Sequence, residues 1–407
     1  MSAALPGEFD VLIVGGGMVG ASLALALGQS GRSVALLEAI AADSALQPSF
    51  DERTTALGNG SRQIFTALGV WPQIEREAAA IEQIHVSDAG RFGFARLDAS
   101  ELDLAAFGYV VPNRVIGTVL WARLAAMENV SLLVPARVEN VEYETRFARV
   151  SARLREGQHL LQAPLLIAAD GAHSVVRQAA GIDVEVEDYE QVALVANVET
   201  DSAARGIAYE RFTPQGPIAL LPRSDRQFTA VWTRPASDAA TALALDDATF
   251  LAQLQDAFGW RAGRMQRLAR CGSYPLQLSR ASGLVGRRTL VIGNAAQALH
   301  PVAGQGFNLG LRDVAFVCEW LQEAVGDPGS EAQLARYANA RNADREAVTR
   351  FTDTLIRTFG DRRPWLAAAR DLGLLLFDLA PPVKRALAGI SYGMAGSSPR
   401  LARGARP

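Results

Sequence analysis

Three segments hold residues whose types and spacing can do chemistry. Gly15, Gly17 and Gly20 spell G-x-G-x-x-G inside FDVLIVGGGMVGASLALALGQSGRSVALLE, which ends at Glu38. In such a pattern the first glycine permits a tight turn, the second admits a pyrophosphate, and the third lets helix pack on strand. The helix N-terminus adds free N–H groups and positive dipole. An acid at Glu38 suits the adenosine ribose hydroxyls and disfavours a 2′-phosphate, so the tight ligand is NAD or FAD rather than NADP. The second segment, AADGAHSVVR, puts Asp170 and Gly171 after an apolar run. They are either a polar strand end with its turn or a ligand-facing pair at a carboxyl edge. The third, GNAAQALHPVAGQGFNLGLRD, follows the run TLVI and leads to Phe307, Leu311, Val314 and Cys318 at helical spacing. It offers many backbone N–H groups and few side chains to an anionic group. A second phosphate is one candidate. A reduced flavin, whose flat anionic edge needs close backbone approach, is the better one.

These segments need strands that end together and helices that begin there. Residues 11–14 and 34–37 are apolar, as in strands buried on both faces. Between them Val19, Leu23, Ala26 and Leu27 mark one face of a helix. A short helix is expected over 61–71, a hairpin over 81–98 with its turn near Gly90, and a helix over 113–127. Short strands fill 130–169. From about 186 to 280 the pattern becomes VALVANVET, GIAYERFT, PIALLPRSD, RQFTAVWT and CGSYPLQLS, broken by a helix over 248–258. That is an antiparallel sheet inserted into an α/β chain. After RRTLVIGN the remainder reads as long helices.

Composition narrows the function. The chain has 407 residues and a net charge of −3, so nothing attracts it globally to nucleic acid. Lys384 is the lone lysine among forty basic residues, a bias that removes single arginines as functional signals. No basic segment with a long apolar run opens the sequence, and no window suggests a membrane-spanning helix. The expected location is the cytoplasm, with peripheral membrane contact left open. Cys271 and Cys318 fit no redox or metal spacing and read as small buried hydrophobes. No histidine–acid cluster has metal spacing, so no metal is expected. His85 and His159 read as satisfied surface or interface residues and His173 as structural. His300, before Pro301, is the one candidate catalytic histidine. A second G-x-G-x-x-G is missing, so NAD(P)H would meet a flavin without its own nucleotide domain.

The three ordered motifs, Gly15–Gly20, DGAHSVVR and GNAAQALHPVAGQGFNLG, resemble those of the class A FAD-dependent aromatic hydroxylases. FDERTTAL (residues 50–57) and HVSDAGRFGFARL (residues 85–97) are similar to the ubiquinone-biosynthesis members. The family pattern usually reads G-D where Gly293-Asn294 stand, and many relatives carry arginine at Asn113. The resemblance implies a Rossmann-like FAD-binding domain, as in para-hydroxybenzoate hydroxylase, with an inserted antiparallel β-sheet substrate domain. The FAD-binding domain would comprise residues 1–75, 106–185 and 281–362. Residues 76–105 and 186–280 would form the substrate-binding β domain, and 363–407 a C-terminal helical segment. By the same resemblance FAD is held by Gly15, Gly17, Gly20, Glu38, Asp170, Gly171 and Asn294. Arg53 and Asn113 would lie near the ribityl chain, and Pro301, Gly304, Gln305, Gly306 and Asn308 around the ring system.

The implied reaction is hydroxylation of a polyprenylated phenol through a flavin C4a-hydroperoxide, with NAD(P)H and O2 as co-substrates. A polyprenyl chain exceeds a pocket of about 300–1,000 Å³, so a groove open to solvent, membrane or partner is expected. The apolar C-terminal segment is either core helices or a surface for a membrane or a ubiquinone-biosynthesis complex. Rival readings are a hydroxylase of another ring position or aromatic substrate, and a non-catalytic FAD- or prenyl-binding component.

Overall fold

The structure, a computed structural model, describes residues 7–41, 53–91, 94–298, 305–342 and 399–407. Its centre is a six-stranded sheet in the order Val285–Gly286, Thr289–Val291, Leu165–Ala168, Val11–Val14, Val34–Leu37, Val130–Leu133. The last five run parallel and the first is antiparallel to its neighbour. Val11–Val14, Val34–Leu37 and Leu165–Ala168 are buried throughout, which explains continuous apolar runs where a half-exposed strand would alternate. Burying one such leucine contributes about 1.5–3 kcal/mol relative to exposure. Strand order reverses between Val11–Val14 and Leu165–Ala168, where open α/β sheets bind ligands. Val14 and Ala168 are register partners there, so the turn at Gly15 and the segment at Asp170 leave the sheet side by side.

The helix Met18–Gln29 is buried along residues 20–28, not on one face as the spacing suggested. It lies between the sheet, the helix Asn113–Ala125 and the helix Gln305–Glu323, and Gly20, Ala21, Ala24 and Gly28 let these approach. A three-stranded meander, Arg137–Tyr143, Ala148–Leu154 and Gly157–Ala163, covers part of the core. Thr54–Gly58 pairs with Gly108–Pro112, which also pairs with Ala79–Ile81.

The inserted sheet has eight strands, ordered Gln297–Ala298, Met265–Ala281, Val184–Thr200, Gln227–Pro235, Gly216–Pro222, Ile207–Thr213, Gln83–Asp88, Phe94–Asp98. All pairs are antiparallel except Ile207–Thr213 with Gln83–Asp88. Residues 184–281 enter and leave this sheet through one ribbon, in which Val184 faces Ala281 and Thr200 faces Met265. Both of its strands are 17 residues long. The ribbon's first stretch, VEVEDYEQ, is acidic and largely exposed, so it carries no apolar strand signal and the strand begins earlier than the sequence suggests. The helices Ala236–Leu243 and Asp247–Phe258 seal one face. Leu194, Ile218, Leu220, Phe228, Ala230 and Trp232 pack there against Phe250, Leu254 and Phe258.

Most of the C-terminal segment, residues 363–398, lies outside the described residues. Leu401 and Ala402 are buried in the main core. Cys318 is buried, and burial pushes its thiol up to about 12. The side chain of Cys271 lies outside the described residues. No helix among them is long and apolar enough to cross a membrane.

Candidate cofactor and substrate site

The glycine turn is built by close backbone approach. Gly15 has φ +104°, and a Cβ there would fall 2.3 Å from the Ala169 carbonyl oxygen. At Gly20 a Cβ would fall 2.0 Å from the Gly15 carbonyl oxygen. Gly17 differs: φ is −60° and an added Cβ meets nothing within 4 Å. The space over Gly17 is therefore open, and the helix Met18–Gln29 begins there with no side-chain cap and no acid in its first turn. Its amides are available to an anion.

Glu38 is buried, and its carboxylate accepts from Gly16 N at 2.6 Å and Ile40 N at 2.8 Å. It thus latches the turn. Each oxygen has a further lone pair, so ribose hydroxyls can still donate to it. Trp121 Nε1 donates to the Gly16 carbonyl at 3.2 Å, fixing the same turn from the helix Asn113–Ala125.

Asp170 is a strand-end cap with one oxygen left over. Its Oδ2 accepts from Val175 N at 2.9 Å and caps the short helix Val175–Ala179. Its Oδ1 is buried without a partner among the described residues. Burial raises its pKa, opposed by hydrogen bonding to Ser174. An unpaired buried acceptor costs about 1–3 kcal/mol, and a ligand hydroxyl would remove that cost. Gly171 follows with φ +86°.

Asn294 lies in the turn Gly293–Ala295 after the strand Thr289–Val291, exposed and without a partner among the described residues. Val19 packs where Cβ atoms on Gly293 and Gly310 would stand, at 3.2 and 2.7 Å. This wedge brings the third segment against the helix of the first. Asp313 Oδ2 accepts from Gly293 N at 2.9 Å, while Asp313 Oδ1 pairs with Arg341 Nε at 2.8 Å, both side chains buried.

Arg177, one of the single arginines set aside as functional signals, has a structural role. It is 1% exposed, and its guanidinium donates to the Ala295 and Ala172 carbonyls, both at 2.9 Å. It ties the second segment to the third. Only its position after Asp170-Gly171 hinted at this.

Asn113 is buried. Its N–H donates to the Arg53 carbonyl at 2.8 Å and its Oδ1 accepts from Thr55 Oγ1 at 2.7 Å. The Arg53 guanidinium lies 4.7 Å from the ring centroid of Tyr274, on the inserted sheet. Asn308 Oδ1 accepts from Gly58 N and Ser61 Oγ at 2.9 and 2.7 Å, and its Nδ2 donates to the Ala56 carbonyl at 2.9 Å. Its amide therefore fastens the helix Gln305–Glu323 to the strand Thr54–Gly58. A Cβ on Gly306 would meet nothing within 4 Å. His300, Pro301 and Gly304 lie outside the described residues, as does the side chain of Gln305.

His85 is a correction. It is buried, stacked with Phe94, and 2.8 Å from Arg261 Nη1. Burial, then Arg261 and Arg96, push its pKa down to about 4, so it is neutral.

The open face of the inserted sheet turns towards these segments. Ala208 and Leu221 pack with Ala56, Ile81 and Phe107, and Tyr274 meets Arg53. On this face Ala219, Leu221, Val231 and Val195 are half-buried, while the alternate residues under the helices are fully buried. A half-buried surface of small apolar side chains is suited to form one wall of a ligand site.

These residues fit FAD: an open glycine turn, an uncapped helix start, an unsatisfied buried Asp170 oxygen and an unobstructed Gly306. A family model described as an FAD binding domain matches residues 8–352. The chain is 36% identical over 401 residues to ubiquinone hydroxylase UbiL of Rhodospirillum rubrum, covering 97% of this chain and 92% of that one. It is 33% identical over 386 residues to the 3-demethoxyubiquinol 3-hydroxylase of Escherichia coli, covering 92% and 96%. Among solved structures, p-nitrophenol 4-monooxygenase PnpA from Pseudomonas putida matches with TM-score 0.80 at 20% identity, covering 96% of this chain and all of that one. PqsL from Pseudomonas aeruginosa, a probable FAD-dependent monooxygenase, matches with TM-score 0.74 at 22% identity, covering 90% and 99%. At these identities the two structures speak for fold alone.

Proposed function

The chain belongs to the FAD binding domain family, as its three motifs anticipated, and from that premise we propose that it is a monooxygenase of ubiquinone biosynthesis acting on a polyprenylated phenol. The substrate we infer is a 2-polyprenyl-6-methoxyphenol, hydroxylated para to its hydroxyl, as by the 2-octaprenyl-6-methoxyphenol hydroxylases that its motifs most resemble. The observation that carries the reading is the half-buried apolar face around Ala219, Val231 and Val195, set opposite the cofactor segments. It suits a flat apolar ring.

FAD would lie with its pyrophosphate on the turn at Gly15, Gly17 and Gly20 and its ribose at Glu38. Asp170, Gly171 and Asn294 would face the pyrophosphate and ribityl region, with Arg53 and Asn113 beside the ribityl chain. When bound and reduced by NAD(P)H, FAD would supply, with O2, an electrophilic oxygen atom. The chain's share is positional and electrostatic. Arg177 and Asp313 hold the two turns that face each other, and the helix Gln305–Glu323 presents its N-terminal amides. The apolar sheet face excludes water and orients the ring. On this reading residues 76–105 and 186–280 form the substrate domain, and the prenyl chain leaves through an opening towards a membrane or a partner.

A second reading, hydroxylation at another ring carbon, is favoured by the identity with the 3-demethoxyubiquinol 3-hydroxylase. Incubation with NAD(P)H and a short-chain 2-prenyl-6-methoxyphenol, followed by mass and NMR analysis, tests both. One added oxygen para to the hydroxyl supports the first reading, and one at another carbon the second. Hydrogens gained without oxygen refute both.

A further inference from the structure

Strand register puts one titratable side chain in the middle of the apolar wall. Ala95, Val86, Glu210, Ala219, Val231 and Val195 form a row across five neighbouring pairs of the inserted sheet. Register partners share a face, so Glu210 lies on the side away from the two sealing helices. Ala208, two residues earlier and on the same face, packs in one cluster with Ala56. The Ala56 carbonyl in turn accepts from Asn308, near the start of the helix Gln305–Glu323. Glu210 is therefore on the wall that faces the proposed flavin position.

Its surroundings give it nothing. Among the described residues no donor or cation acts on its carboxyl, and its neighbours in the row are alanine and valine. The side chain is crowded by protein yet keeps part of its surface open, as at a cavity wall. Burying a carboxylate without a partner is costly, and neither packing nor a salt bridge offsets that cost here. Such a group points to a ligand that completes it.

We propose that Glu210 takes the phenolic proton of the bound substrate. This rests on the prenylphenol reading. The phenol O–H bond breaks, the proton moves to a carboxylate oxygen, and the electron pair stays on the ring oxygen. That pair raises electron density at the ortho and para carbons, which makes them nucleophilic towards an electrophilic oxygen. Attack through one of these carbons would leave a neutral dienone; as the ring regains aromaticity its C–H proton goes to the oxygen left behind by the transfer, and Glu210 returns its own proton to the ring oxygen. During the proton transfer glutamate and phenol together carry one negative charge, so that step creates no second charge in an apolar site. Burial pushes the carboxyl up to about 7, between an ordinary carboxylate and a phenol near 10, where a base is effective at neutral pH.

By strand register the charged and titratable groups on this face are Asp88, paired with Arg91, at one end, Glu199 at the end of the strand Val184–Thr200, and Tyr274 with Arg53 across the sheet. His85, Arg96 and Arg211 are on the opposite face by alternation.

The test is calorimetric binding of 2-prenylphenol and its methyl ether to the FAD-loaded protein between pH 6 and 8. An ionised Glu210 accepts the phenol's hydrogen bond, so phenol affinity should rise about fivefold across pH 7, while the ether's should not. In Glu210→Gln the rise should vanish with FAD retained, and in Glu210→Asp it should persist. A rise that survives in Glu210→Gln, or that the ether shares, overturns the assignment and leaves the substrate reading standing. If Glu210→Gln does not fold, a flat profile in Glu210→Asp overturns it equally. If neither ligand binds the wild type at any pH, the prenylphenol reading falls and takes this inference with it.

Discussion

Two alanine substitutions one helical turn apart should both weaken FAD binding, and only one of them should destabilise the protein. At Gly17 the backbone is extended, with φ −60° and ψ 173°, and an added Cβ touches nothing. The protein itself does not require glycine there. Gly17→Ala should leave the apoprotein within about 1 kcal/mol of wild type, since reduced unfolded-state entropy offsets any small capping change. The new methyl would nonetheless stand in the space through which a pyrophosphate approaches the helix amides. Losing one charge-assisted amide bond costs about 1.5–3 kcal/mol, or about 10- to 150-fold in FAD affinity. At Gly20 a Cβ would fall 2.0 Å from the Gly15 carbonyl oxygen, a backbone atom with no way to yield cheaply. Gly20→Ala should therefore lower stability by about 1–3 kcal/mol or more and lose FAD as well. Denaturant unfolding of the apoproteins and FAD titration by flavin fluorescence separate the two effects. Wild-type FAD affinity in Gly17→Ala would refute the reasoning, because the open space would then not be where the pyrophosphate lies.

Arg177→Leu removes two buried guanidinium bonds, to the Ala172 and Ala295 carbonyls. It should destabilise the apoprotein by about 2–4 kcal/mol and weaken FAD binding at least tenfold, measured in the same two assays. Asn294→Asp should retain FAD through purification, since the side chain is exposed and an acid there is the family's usual residue; colourless protein would contradict this. His85 is held neutral, with its pKa lowered from 6.5 to about 4. The unfolded chain takes up the proton first as pH falls, so stability should drop between pH 6.5 and 4, by at most about 3 kcal/mol before solvent screening. His85→Gln should flatten that decline in denaturant unfolding curves measured across the range.

What could be read from the sequence divides along a physical line. Segments in which one short stretch carries the whole device were legible. Gly15 to Glu38 was of this kind, because a parallel strand buried on both faces is an unbroken apolar run and its turn needs glycine for reasons internal to the turn. The inserted sheet was legible where half-buried strands alternate, as in PIALLP, and illegible in VEVEDYEQ. There the strand is fixed by pairing with residues 277–281 and by nothing in its own composition. Long-range devices left no local trace. Arg177 joins two segments 118 residues apart, and Asp313 joins Gly293 to Arg341.

Glu210 shows the limit most clearly. In GIAYERFT a glutamate between tyrosine and arginine reads as solvated. Only the pairing with Val86 on one side and Ala219 on the other reveals that it stands in an apolar wall. The difference between a surface charge and a buried base is then a matter of register. Shifted by one residue, the strand would place Tyr209 or Arg211 on the wall and Glu210 under the sealing helices. The sheet resists that slip because Tyr209 is packed edge-on against Phe258, its ring centroid 5.7 Å away. The aromatic contact on the sealed face thus sets which side chain meets the ligand on the open one. Replacing Tyr209 should disturb the pH profile of phenol binding although it touches no substrate.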